Sequence, residues 1–352
     1  MEDGDAAAAR RAGRRRAVVA AAVFVVAVAL GLGAYRAARA VAPLAPGSPR
    51  EVMVVVHPGM DVDAIAAALR QQQVIRSPLA FRLLARQEHV GRLLEAGTYQ
   101  VGPGMSPRQI LQRMAAGRVT VRKVTVPEGW DAAEVVAVVR AAGLSAATGM
   151  GQALSDTALL RAAGLPQPAP GVQIPLEGYL FPATYAFPPG VTAAQVAQAM
   201  VARFNQAWTA QLRTQAAAQG LDTAQAVTLA SIVQREVATP TDMRIVAGIY
   251  LRRLKAGRHL DADPTVLYAV GSATQSGPLT AAELGVNSPY NTYVHRGLPP
   301  GPICNPGLAA LQAVADPTSG QAMYFLTTPS GRLVVADTLA QQTANAQKYL
   351  GQ

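Results

Sequence analysis

Residues 17–34, AVVAAAVFVVAVALGLGA, are eighteen consecutive residues without a charge. As a helix they would be about 27 Å long, enough to cross the hydrocarbon core of a bilayer. Arg10, Arg11, Arg14, Arg15 and Arg16 precede the run, which predicts an N-terminus on the cytoplasmic side. Tyr35 follows it and suits the membrane interface. A cleaved signal peptide is the rival, with AARA as a small-residue cleavage site. The run is long for a signal core, which favours an uncleaved single-pass anchor in the cytoplasmic membrane. The chain then divides into a cytoplasmic basic tail (1–16), an anchor (17–35) and a linker (36–49) rich in proline. Everything beyond lies on the far side of the membrane.

At 352 residues the chain is long enough for two or three cores. Its net charge of +10 points to an anionic partner, yet much of the excess sits in the arginine cluster. No dense basic stripe with interleaved aromatics follows, so nucleic acid is not expected. The one cysteine, Cys304, permits no intramolecular disulfide and no cysteine zinc site. It reads as a small buried hydrophobe. The four histidines lack ligand spacing. No metal or other cofactor is expected.

One grammar recurs in VVVHPGMDVDAI (54–65), YQVGPGMSPRQI (99–110), VTVPEGWDAAEV (124–135) and YAFPPGVTAAQV (185–196). Each is a strand-like run, a Pro/Gly turn, a capping residue and an amphipathic helix. The caps are Asp61, Ser106, Asp131 and Thr192, whose side-chain oxygens can accept from first-turn amides. Gln109, Glu134 and Gln195 stand three residues after the last three caps, the capping-box spacing. Val62, Ile65, Ala66 and Leu69 fall on one helix face. The fold class is therefore α+β. A small module at 50–121 precedes a larger mixed α/β domain at 122–352.

In IPLEGYLFPATY (174–185), Glu177 is the one carboxylate in an apolar and aromatic run. Desolvation disfavours the charged form and raises a carboxyl's pKa. A glutamate so placed suits general acid chemistry near neutral pH. The same residue would otherwise be a surface carboxylate at a turn. Gly178 beside it would let a substrate approach the backbone. Tyr179, Phe181, Tyr185 and Phe187 alternate, so on one strand they would share a face, as a sugar-stacking floor or as core.

Two resemblances bear on function. The pattern of residues 58–69, PGMDVDAIAAAL, resembles a LysM domain, a binder of N-acetylglucosamine-containing glycans. A turn feeding a helix with no ligand explains the same letters. Beyond 123 the chain closely resembles the endolytic murein transglycosylase (YceG-like) family. The resembling segments are VTVPEGW (124–130), PLEGYLFPATY (175–185), ASIVQRE (230–236), DADPTVLYAV (261–270), SPYNTY (288–293) and GLPPGPICNPG (297–307). Six segments in the family's order and spacing are specific where no single one would be. Glu177 occupies the family's catalytic glutamate position.

The resemblance implies a lyase that cuts peptidoglycan strands between N-acetylmuramic acid and N-acetylglucosamine, leaving 1,6-anhydro ends. It also implies association with the wall-synthesis machinery, including peptidoglycan synthases. The residues alone would equally allow a hydrolase pairing Glu177 with Glu236 or Asp263. They would also allow an anchored glycan binder or a structural membrane protein.

Five substrate-binding candidates accompany Glu177: Glu236, Asp263, Tyr290, Asn291 and Tyr293. Glu236 would orient substrate or Glu177, or pair with Arg235 or another base. Asp263 would cap a helix beginning near Thr265 or touch a sugar. Asn291 offers both a donor and an acceptor, as sugar hydroxyls require. Two departures from the family stand out. Asp261 replaces a common glutamine, and Gln342-Thr343 replaces a common His-Asn. A catalytic role at the histidine position would here be lost or taken over.

Overall fold

The computed structural model describes residues 23–57, 59–91, 94–271 and 279–351. The basic tail and the first residues of the anchor lie outside them. The chain forms two compact units, Met1–Val121 and Arg122–Gln352. Together they make a mixed α/β protein with one N-terminal apolar helix.

In the first unit, helix α1 (Val23–Val41) is long and apolar enough to cross a membrane, and no part of its apolar window is buried. It continues through residues 36–41, so the linker proper is shorter than the sequence suggests. The next residues are tied down, with Ala45 N–H donating to the carbonyl of Pro103. Strand β1 (Val52–Val56) leads to α2 (Val62–Gln71) and α3 (Pro78–Gln87), and then to β2 (Gly97–Val101) and α4 (Pro107–Ala115). The strands pair antiparallel, with Val54 opposite Tyr99. Ile65, Ala66 and Leu69 of α2 face this small core, with Val62 packed at its edge.

The second unit begins with β3 (Arg122–Thr125), paired antiparallel with β4 (Thr184–Phe187). Between them lie α5 (Ala132–Ala141), a 3-10 turn (Ser145–Gly149), α6 (Met150–Leu154) and α7 (Thr157–Ala162). A helical body follows: α8 (Ala193–Ala207), α9 (Ala210–Ala218), α10 (Thr223–Glu236) and α11 (Pro240–Lys255). After α12 (Asp263–Ala269), α13 (Ala281–Leu284) and α14 (Leu308–Ala315), the hairpin β5 (Tyr324–Thr327) and β6 (Leu333–Ala336) packs on α15 (Leu339–Leu350). Every residue of α10 from Ala226 to Val233 is buried. A helix buried all round is the axis of a core rather than its cover. The capping residues Asp61, Ser106, Asp131 and Thr192 all hold their helices, the last three with complete capping boxes.

The four aromatics after Glu177 do not share one strand. Residues 175–180 form turns and a bend, and β4 begins only at Thr184, past Pro182. A proline cannot donate to a strand ladder, so the extended run is cut there. Tyr179 packs edge-on against Phe204, with centroids 5.1 Å apart, while Tyr185 stacks on Phe187 at 5.7 Å. Tyr179, Phe181 and Phe187 belong to the core.

Candidate active site

Glu177 sits in the turns between Ile174 and Leu180 and is 1% exposed. Its two carboxyl oxygens accept from different segments. Oε2 takes the N–H of Ala132 at 3.0 Å, and Oε1 takes Nδ2–H of Asn305 at 3.1 Å. Ala132 opens α5, so the carboxyl rests on a helix N-terminus whose first amides point outward. Burial pushes the Glu177 pKa from 4.5 up to about 8. The Ala132 N–H pulls it down and Asp131 raises it, with Arg235 lowering it in turn. Desolvation wins, so near neutral pH the group is a proton donor held in one orientation.

Asn305 organises the surroundings. Its Oδ1 accepts from the N–H groups of Gly178 (3.0 Å) and Leu180 (2.9 Å). Its Nδ2 also donates to the carbonyl of Trp130 at 2.9 Å, and its own backbone bonds to Gly129 and Trp130. One fully buried amide thus joins the 129–132 turn, the Glu177 turn and the 303–307 segment. That segment lies along α10. Ile303 N–H donates to Ser231 Oγ, and Gly307 N–H donates to Gln234 Oε1.

Gly178 has another role than the one its sequence context suggests. Its φ is +85°, and an added Cβ would lie 2.5 Å from Pro302 Cγ and 2.9 Å from Val227 Cγ1. The close approach at this glycine is made by the protein's own core.

Around this centre, Arg235 donates to the Gly129 carbonyl at 2.9 Å and pairs with Glu134 at 3.1 Å. Tyr268 and Tyr290 lie with ring centroids 4.9 Å apart. Burial, with the nearby Glu177 charge adding to it, raises the half-buried Tyr268 phenol. Tyr290 is 1% exposed, and its hydroxyl meets Gln173 N–H at 3.5 Å. Cys304 is fully buried and donates its thiol to the Ser231 carbonyl.

The other candidates gather in a second group. Glu236 does not pair with Arg235 but accepts from the Tyr250 hydroxyl at 2.5 Å. Burial raises its pKa to about 7. The Tyr250 bond opposes that, Asp263 adds to it, and Arg253 offsets it. Asp263 does not cap its helix. Ala262 stands at the cap position without a side-chain bond, and the Asp263 carboxylate accepts from the Tyr293 hydroxyl at 2.5 Å. Asn291 is fully buried. Both of its amide hydrogens go to the carbonyls of Leu284 and Val286, and its oxygen accepts from Tyr293 N–H. It shapes the loop and has no amide hydrogen left for a ligand. Gln342 donates to the Phe325 carbonyl, and the Phe325 ring meets Tyr250 edge-on at 5.8 Å. Asp261 holds Arg253 at 3.1 Å from a left-handed backbone, φ +50°.

Asn305, Tyr268 and the Ala132 amide were not singled out by sequence reasoning, and Arg235 was named only as a partner for Glu236. The available signal was their place within the resembling segments: Asn305 in GLPPGPICNPG, Tyr268 in DADPTVLYAV and Arg235 in ASIVQRE. A groove of about 750 Å³ lies apart from the acid, lined among others by Glu128, Phe181, Arg203, Arg244 and Asp316. Among the described residues no group of three or more His, Cys, Asp or Glu is placed to hold a metal ion.

The model of the YceG-like family matches residues 54–348. A curated Bacillus subtilis protein named endolytic murein transglycosylase is 28% identical over 318 residues, covering 88% of this chain and 87% of that protein. A Streptococcus pneumoniae protein of the same name is 25% identical over 332 residues. This chain spans only 60% of that longer relative. The crystal structure of a yceG-like protein from Listeria monocytogenes aligns with TM-score 0.58 at 29% identity, covering 84% of this chain and 99% of that one. With a family model matching most of its length, the chain belongs to the YceG-like family.

Proposed function

We propose that this chain is an endolytic murein transglycosylase that cleaves the bond between N-acetylmuramic acid and N-acetylglucosamine within glycan strands. The family and the names of the relatives support a peptidoglycan transglycosylase, a lyase of the cell wall. The observation that carries the mechanism is Glu177. It is a buried carboxyl with a pKa of about 8, clamped by two donors.

Glu177 gives its proton to the glycosidic oxygen as that bond breaks. The 6-hydroxyl of the muramic acid residue attacks its own anomeric carbon, and the carboxylate takes the hydroxyl proton. Glu177 is thereby restored, a 1,6-anhydro end forms, and no water is consumed. The nucleophile belongs to the substrate, so one carboxyl suffices where most glycosidases need two. The Asn305 and Ala132 donors stabilise the carboxylate between the two proton transfers. Glu236, Asp263, Tyr290 and Tyr293 are the side chains we assign to the walls of the glycan site.

On this reading α1 is a single-pass anchor in the cytoplasmic membrane, with the N-terminus inside and the enzyme outside. The small unit, two antiparallel strands enclosing two helices, serves as a LysM-like glycan-binding module. Peptidoglycan synthases working at the same membrane are the partners the reading implies.

The test is mass spectrometry of fragments released from intact peptidoglycan by the wild type and Glu177→Gln. Wild type should yield anhydro ends, one water lighter than reducing ends, and the variant none. Reducing ends from the wild type would make the enzyme a hydrolase and refute the intramolecular attack.

A further inference from the structure

Helix α3 buries Phe81, Leu84 and Ala85 and turns a different face outward. On that face stand Leu79 and Leu83, 57% and 56% exposed, and the exposed Arg86. Spacings of four and three residues put all three on one stripe. Arg76, just before the helix, donates to the carbonyls of Arg39 (2.7 Å) and Leu44 (3.1 Å). Arg39 lies near the end of α1, five residues beyond Ala34, the last residue of the uncharged run.

Five residues of helix rise about 7.5 Å, and the headgroup layer on each side of the hydrocarbon is about 5–8 Å thick. With α1 spanning the bilayer, Arg76 is held at headgroup level and α3 starts two residues later. Among the described residues, Arg36, Arg39, Arg76 and Arg86 form no ion pair, while Arg82 pairs with Asp63. Exposed leucines bracketed by arginines that no carboxylate neutralises are the chemistry of a helix lying in a membrane interface.

We infer that α3 rests on the outer face of the membrane, with Leu79 and Leu83 in the interface and Arg76 and Arg86 on anionic phospholipid headgroups. The inference rests on α1 being an uncleaved anchor. It makes the small unit a second, peripheral membrane contact, fixed beside the anchor and not swinging from it.

The experiment uses the full chain in nanodiscs of phosphatidylglycerol and phosphatidylcholine, with and without brominated acyl chains. Leu83→Trp adds one fluorophore to Trp130 and Trp208, and wild type supplies the baseline. Brominated lipid should quench at least half of the added emission. Arg86→Glu, or nanodiscs of phosphatidylcholine alone, should lower that quenching about twofold. Added emission that is not quenched overturns the inference. Emission that is blue-shifted yet unquenched also overturns it, by putting the face against protein. Alkaline carbonate extraction separates the two readings. A chain released by carbonate has no spanning anchor, whereas a retained chain with unquenched emission keeps its anchor and lacks the docked helix.

Discussion

Replacing Glu177 by glutamine should change how stability depends on pH, by an amount the site itself sets. In the folded protein the carboxyl titrates near pH 8, raised from 4.5 chiefly by burial. A raised folded pKa means that the folded state holds the proton more tightly than the unfolded chain does. The stabilising contribution is therefore fully present below pH 4.5. It declines as the unfolded carboxyl ionises and is gone once pH passes about 8. At about 1.36 kcal/mol per pH unit, wild type should lose roughly 2–3 kcal/mol relative to Glu177→Gln between pH 5 and 7, and on the order of 4 kcal/mol by pH 9. The glutamine sets an amide N–H₂ against a donor, Asn305 or the Ala132 N–H. That cost does not vary with pH and cancels from the trend. Urea unfolding of residues 42–352, followed by the fluorescence of Trp130 and the fully buried Trp208, reads the second unit directly. Wild-type and variant stabilities that run parallel from pH 5 to 9 would show that Glu177 ionises normally in the fold, and the case for a buried acid would collapse.

Three further outcomes follow from the same geometry. Asn305→Ala strips the buried N–H groups of Gly178 and Leu180 of their acceptor, at about 1–3 kcal/mol each. It should lower stability by several kcal/mol in urea melts and cut muropeptide release more than tenfold. Gly178→Ala forces a Cβ into Pro302 at a left-handed φ, which alone costs about 1–3 kcal/mol. A melt within about 0.5 kcal/mol of wild type would contradict the close approach described here. Tyr250→Phe removes the hydrogen bond that holds the Glu236 pKa down. Carbon-13 titration of labelled glutamates should then show Glu236 titrating above about 7, and an unmoved or lowered value would refute that bond.

What could be read in the sequence was mostly local. Asp61, Ser106, Asp131 and Thr192 could be named as caps because a cap and its target amide lie within one turn. The burial of Glu177 was visible because its apolar neighbours in sequence are also neighbours in the core. Asn305 escaped because its partners lie more than a hundred residues away, beyond the reach of any pattern of spacing. Asp263 misled for a related reason. Its position looked like a cap, but Tyr293, thirty residues on, takes its carboxylate. The alternating aromatics suggested one strand until Pro182 cut it.

The Asn305 clamp also has a consequence in time. Its bonds reach back 175 residues to Trp130 and 128 to Glu177. Such distant pairings close late, after the intervening chain has been ordered. A chain that emerges N-terminus first presents Glu177 long before residue 305 arrives to grip it. A nascent or truncated product ending before Asn305 therefore has its acid but not the hand that holds it.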